Sequence, residues 1–298
     1  MKGLSGFINV LKPVGLTSHQ VVAKVRKLAP PGTKVGHTGT LDPAATGVLV
    51  LCLGRATRLA DYVSNLDKVY RAEFTFGART DTDDVKGKVL YAPGAEGLTE
   101  EHVQEKLGLF RGVFSQKPPV FSAVSVEGER SYRLARRGQQ AELPTRLVRV
   151  DQFQLLSFLP GRFARGVFQI RCSSGTYVRS LCRDLGEELG CGGFVSFLVR
   201  VAVGDFHVDQ SVPLEELEAC LPGTGLRGYL VGIDSALQYM PRVLLHADDT
   251  RRVRNGNSPR ARVDFPDGTS VLLCGEGGEV FAIGVVCKGM IRVEKVLS

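Results

Sequence analysis

The chain has little that would mark a metal enzyme. Its 298 residues include only five histidines, and none is spaced as part of a zinc ligand set. Cysteines number seven, Cys52, Cys172, Cys182, Cys191, Cys220, Cys274 and Cys287, and no two form a C-x-x-C pair. An odd, scattered set of thiols argues for reduced cysteines in a cytosolic protein and against a disulfide framework. No apolar run approaches the ~20 residues that a bilayer-spanning helix needs. Met1 to Val10 lacks both a long apolar core and a small-residue cleavage site, so it does not read as a secretory signal. A soluble, cytoplasmic protein with no membrane association is expected. The common catalytic devices are missing as well. Gly32, Gly36, Gly39 and Gly47 do not form a Walker loop, because no Gly-Lys-Ser/Thr closes it. No G-x-G-x-x-G opens a helix after a strand with a later acid for a ribose, and neither H-E-x-x-H nor G-x-S-x-G occurs. The expected reaction therefore runs without metal or organic cofactor.

What is present is ample core material and an uneven charge. Hydrophobic residues make up 43% of the chain, and 38 basic against 31 acidic residues give a net charge of +7. Six arginines lie between Arg130 and Arg149, namely Arg130, Arg133, Arg136, Arg137, Arg146 and Arg149. A second group comprises Arg251, Arg252, Arg254, Arg260 and Arg262. Such clusters suit a polyanion, nucleic acid above all, although a solvated basic face has the same composition.

The length implies roughly two domains. Ser18 is placed to cap a helix to about Leu28, with Val21, Val22, Val25 and Leu28 on one face and Pro30 beyond the end. Val48 to Leu53 reads as a buried strand. Tyr70, Ala72, Phe74 and Phe76 alternate with polar residues in a half-buried strand, as do Phe168, Ile170 and Cys172. Further helices are expected from Thr99 to near Gly112, from a Thr176 cap through Leu189, and from Leu214 to Leu221. The arginine-rich segment 122–150 reads as an exposed loop with a short helix. From about Pro241 the texture turns to short strands, which places a boundary near residue 237 and a small β-rich module after it.

One loop stands out for chemistry. Gly36-His37-Thr38-Gly39-Thr40-Leu41-Asp42-Pro43-Ala44-Ala45-Thr46-Gly47 presents a single carboxylate among glycines, just ahead of a rigid strand. Asp-Pro is also an ordinary turn initiator, so composition alone leaves both readings open. As a nucleophile, Asp42 would have to stay ionised in a partly dry site, which a neighbouring guanidinium favours. Arg179, in the first turn of the Thr176 helix, could supply it or could be an exposed helix arginine. Tyr70 fits core packing or the holding of an unstacked base. His37 fits a surface position or a functional one.

Taken together, these segments resemble the TruB family of tRNA pseudouridine synthases. The resemblance rests on five ordered blocks: Lys12-Pro13-Val14-Gly15-Leu16-Thr17-Ser18, the Asp42 loop, Tyr70 through Gly87, Lys117 through Val124, and Gly175-Thr176-Tyr177-Val178-Arg179. It implies an α+β pseudouridine synthase fold, a mixed and mostly antiparallel sheet flanked by helices. A catalytic domain would span 1–237, with an RNA-clasping insertion at about 122–150, and a PUA-like β-rich module would span 238–298. The implied reaction turns the T-loop uridine of tRNA, position 55 in tRNA numbering, into pseudouridine. The implied catalytic residues are Asp42 as nucleophile, Arg179 as its ion-pair partner, and Tyr70. His37, Tyr70, Tyr177 and Leu198 would bind the substrate, while Lys12, Asp84, Arg130, Arg133, Arg136 and Arg137 would contact RNA. No metal, cofactor, guide RNA or obligatory protein partner is implied for a monomer acting on the tRNA T-arm. The chain departs from the family's usual L-R-R-T at Leu198-Val199-Arg200-Val201, and has Ser125 where many members carry lysine.

Overall fold

A computed structural model describes residues 4–122, 125–126, 129–130, 137 and 143–297; for 125–126 and 129–130 only the backbone is considered. A ten-stranded sheet forms the frame. Its main path runs Val212–Pro213, Gly6–Lys12, Thr46–Leu53, Gly193–Val203, Lys68–Phe76, Arg165–Cys172, Arg146–Leu159 and Gly112–Gln116. Two short strands lie off this path: Val35–His37 pairs with Thr46–Leu53, and Phe206–His207 with Gly193–Val203. Every pairing is antiparallel except two: Gly6–Lys12 with Val212–Pro213, and Thr46–Leu53 with Gly193–Val203. The sheet is mixed and mostly antiparallel, with helices packed on its faces, as expected.

Apolar alternation explains the central strands. Tyr70, Ala72, Phe74 and Phe76 are all buried, and they meet Phe168 and Ile170 of the next strand on the same face. The Phe74 and Phe168 rings lie 4.5 Å apart, and Phe153 packs against both. Burying each such ring contributes about 1.5–3 kcal/mol. The helix Val178–Glu188 covers this cluster with Val178, Leu181 and Leu185. The helix Ser18–Leu28 buries Val21, Val22 and Val25 against Leu49, Leu51 and Leu53.

Several local expectations need correction. Thr17, not Ser18, caps the first helix: its hydroxyl accepts from the Gln20 amide, and the Gln20 side chain accepts from the Thr17 N–H. The helix expected from a Thr176 cap begins at Val178, with Tyr177 at the cap position and no side-chain cap bond. Thr176 turns instead to the Ser173 carbonyl. The exposed segment expected over 122–150 ends early. Residues from Arg146 onward form a 14-residue strand of the main sheet, with Val148 and Val150 buried. A two-strand hairpin, Ser125–Val126 with Glu129–Arg130, lies within the segment. The short helix expected there falls outside the described residues.

A second, four-stranded sheet follows, in the order Arg242–Leu244, Ser270–Cys274, Val280–Cys287 and Met290–Val296, with one helix at Ala247–Arg254. It shares an apolar cluster with the first sheet, where Leu272, Cys274, Ile283 and Leu297 pack with Phe7, Val48, Val50, Ala236 and Leu237. No helix among the described residues is long and apolar enough to cross a membrane.

Candidate active site

The Asp42 loop leaves the end of Val35–His37 and returns as the strand Thr46–Leu53. It is tied down mostly through its backbone. Gly15 N–H donates to the Pro43 carbonyl at 2.7 Å, and the Thr46 hydroxyl donates to the Lys12 carbonyl at 2.7 Å. The buried Ser18 hydroxyl donates to the Leu41 carbonyl at 3.0 Å and accepts from the Leu41 N–H at 2.9 Å. The block around Lys12–Ser18 is thus the cradle of the residue just before Asp42. Buried hydrogen bonds of this kind fix a loop because breaking one orphans a backbone group.

Arg179 is brought to this loop by the second position of the helix Val178–Glu188. Its Nε stands 2.9 Å from Asp42 Oδ2, with the guanidinium side chain 6% exposed and the carboxylate side chain 34% exposed. Nη1 donates to the Thr82 carbonyl and Nη2 to the Phe121 carbonyl, so the guanidinium is oriented on two further sides. Asp84 lies 3.9 Å from the same guanidinium, and its Oδ1 accepts from the Thr82 hydroxyl and the Lys86 N–H. The carboxylate of Asp42 therefore sits half-buried at the edge of a cleft, next to an oriented cation. That narrow cleft is lined by Asp42, Ala45, Asp84, Arg179, Phe197 and Leu198, among others.

Tyr70 is almost fully buried on the strand Lys68–Phe76, near enough for its phenol to feel the Asp42 charge. Burial raises its phenol, while the Arg200 guanidinium facing it opposes that rise. Tyr177 exchanges two backbone hydrogen bonds with the Gln116 side chain, and the Arg146 guanidinium stacks 5.4 Å from its ring centre. His37 packs edge-on against His19 at 5.2 Å, at the start of the Asp42 loop. Leu198 joins the cleft wall.

The expected RNA contacts are placed unevenly. Lys12 is not on the surface: its ammonium is buried and donates to the carbonyls of Pro13 at 2.9 Å and Leu16 at 2.7 Å. Burial lowers it to about 8, against the raising pull of Asp42. It shapes the cradle instead of offering a phosphate contact. Asp84 belongs to the cleft. Arg137 is exposed in a turn. Arg133 and Arg136 lie outside the described residues, as does the side chain of Arg130.

Residues that sequence reasoning left without a role complete the site. Arg183 pairs with Asp83 at 3.1 Å and donates to the Lys117 carbonyl, and Ser180 donates to the same carbonyl. These contacts fasten the 77–87 loop and the 117–121 segment to the helix that carries Arg179. Val199, one of the departures from the family pattern, alternates with the buried Leu198 and Arg200, and Val201 falls in a bulge of the strand. The arginine that is kept is the one that faces inward.

Comparison with known proteins shows the family. A model of the TruB family pseudouridylate synthase N-terminal domain matches residues 26–178, and the tRNA pseudouridylate synthase B C-terminal domain matches 179–238. The chain belongs to the TruB family. A tRNA pseudouridine synthase B of Symbiobacterium thermophilum is 46% identical over 259 residues, covering 87% of this chain and 84% of that relative. One of Synechococcus sp. is 40% identical over 295 residues, 98% of each chain. Among solved structures, a chain of a Cbf5–Nop10–Gar1 complex superposes with a TM-score of 0.74 at 25% identity, over 98% of this chain and 85% of that one. This TruB-family chain is accordingly a pseudouridine synthase, with the family's catalytic fold followed by a small β-rich module.

Proposed function

We propose that the chain isomerises uridine 55 in the T-loop of tRNA to pseudouridine, with Asp42 as the nucleophile. The observation that carries this reading is the 2.9 Å pairing of Asp42 with the buried Arg179 at the edge of a cleft. In the reaction the C1′–N1 bond breaks, the uracil turns, and a C1′–C5 bond forms. The C5 proton leaves to solvent and N1 gains one, so nothing is oxidised and no group donor is consumed. A carboxylate placed beside a guanidinium supplies the nucleophile that such chemistry needs.

A base inside folded RNA must leave its stack to reach the cleft. Tyr70 stacks on the everted uracil, Leu198 and Tyr177 line its pocket, and His37 fills the space it vacates. The arginines of the 122–145 segment grip the T-arm phosphates. The enzyme acts as a monomer in the cytoplasm, without guide RNA or a protein partner. Its higher identity to relatives named tRNA pseudouridine synthase B than to the Cbf5 chain supports that stand-alone reading.

The test is tritium release. Purified chain alone, incubated with a tRNA transcript labelled at uracil C5, is expected to release label from one T-loop uridine. Absence of release until a guide RNA or second protein is added would contradict the stand-alone reading. Release from sites outside the T-loop would contradict the assigned position.

A further inference from the structure

Arg200 has no part in the chemistry above, yet it is 2% exposed and central to the sheet. It lies opposite Tyr70 on one neighbouring strand and opposite Gly47 on the other. Gly47 has φ +108°, and a Cβ at that position would stand 2.2 Å from the Arg200 carbonyl oxygen. The far end of the Asp42 loop can therefore meet Arg200 this closely only as glycine. The side chain then reaches back to the near end. Nη2 donates to the Gly39 carbonyl at 3.1 Å, Nη1 to the Thr40 carbonyl at 3.2 Å, and Nε to the Val48 carbonyl at 2.7 Å. One residue thus clasps both ends of the loop that carries Asp42.

The choice of residue is costly if packing were its only task. A buried guanidinium held by carbonyls rather than a carboxylate loses hydration that an apolar side chain of similar volume would not lose. What the cation gives in return is geometry. Its planar fork reaches three carbonyl groups at fixed angles, which a lysine ammonium on a flexible stem does not reproduce. Tyr70 faces the same guanidinium, so the loop and the phenol share one reference point.

We propose that Arg200 is a positioning residue for pseudouridine formation, setting the Asp42 carboxylate in register with Tyr70 and Arg179 by clasping both ends of its loop. This rests on the function proposed above. Misplacement of a reacting group by about 1 Å lowers a rate about 100-fold, and that is the loss expected for Arg200→Lys in single-turnover pseudouridine formation. Affinity for the tRNA transcript, read by filter binding, is expected to stay within about twofold, because Arg200 offers nothing to solvent.

The experiment measures rate, affinity and melting temperature together on the full chain. A purely structural role would lower the melting temperature and leave the rate of the folded enzyme unchanged. A folded Arg200→Lys variant with the parent's rate overturns the proposal. Should that variant melt below the assay temperature, Arg200→Gln in a buffer stabilised with trimethylamine oxide replaces it, and the same two outcomes decide. The parent, run alongside, separates the two proposals. A parent that forms no pseudouridine contradicts the proposed function, whereas a competent parent matched by its variant contradicts only the role of Arg200.

Discussion

The Asp42 loop and the C-terminal sheet are both fastened to the same ten-stranded frame, but by different forces. The loop is held by oriented contacts: the Ser18 hydroxyl on Leu41, the Gly15 N–H on Pro43, the Arg200 fork on Gly39 and Thr40, and Arg179 on Asp42 itself. The C-terminal sheet is held chiefly by area. Leu272, Cys274, Ile283 and Leu297 are buried against Phe7, Val48 and Val50, while the polar contacts at its rim are more exposed. These include Lys295 with Asp61 at 3.4 Å, Lys295 over the Tyr62 ring, and Tyr62 with Glu294. A reacting carboxylate must be placed to a fraction of an ångström, which directional bonds achieve. A docked module only has to stay attached, and non-directional burial suffices.

Substitutions can break this contrast in order of effect. Arg179→Met removes the cation beside Asp42 and is expected to lower single-turnover rate by about 100- to 1000-fold with smaller change in tRNA affinity. Equal losses in rate and affinity would place Arg179 in RNA binding instead. Leu272→Ala cuts into the shared apolar cluster and should cost about 2–5 kcal/mol in urea unfolding, with the rate of folded enzyme preserved. A loss of catalysis without loss of stability would mean that the C-terminal sheet acts on the cleft directly. Ser18→Ala orphans the Leu41 N–H and carbonyl and should cost about 1–3 kcal/mol, with a lowered rate because Leu41 precedes Asp42. An unchanged rate would show that the cradle does not set the nucleophile.

A pH series sharpens the account of Lys12. Its folded value is lowered by burial to about 8, below the ordinary 10.5. Between these values the unfolded chain binds more protons than the folded one, so this group's contribution to stability rises with pH across that window. The stability of the parent relative to Lys12→Met should therefore increase from pH 8 upward; a flat difference would mean that Lys12 is not desolvated. The smallest effect is expected at the rim, where Lys295→Ala should change stability by less than about 1 kcal/mol.

How far the sequence carried the structure depended on whether a signal was local. The helix Ser18–Leu28 was legible from Val21, Val22 and Val25 and the following Pro30, because a helix face repeats within its own segment. The strands around Tyr70 and Phe168 were legible from strict alternation. The strand Arg146–Leu159 was not, because two bulges break its alternation and its arginines read as surface. Asp42, Tyr70 and Arg179 were found through family-like blocks, but their meeting depends on sheet order, which residue spacing does not encode. Arg200 stayed silent, and Ser18 was misread as a helix cap, for another reason. Their partners are backbone carbonyls and amides, which every residue carries, so no partner type marks the contact. Lys12 misled because a fully buried lysine is rare.

The central claim is that Asp42, held beside Arg179, performs the chemistry while other groups bind the RNA. Asp42→Asn keeps the size and most hydrogen bonding of the side chain and removes its charge. The variant is expected to lose at least about 10,000-fold in single-turnover pseudouridine formation, while its tRNA affinity stays within about threefold of the parent's. An Asp42→Asn enzyme that turns over at a rate close to the parent's would contradict the account.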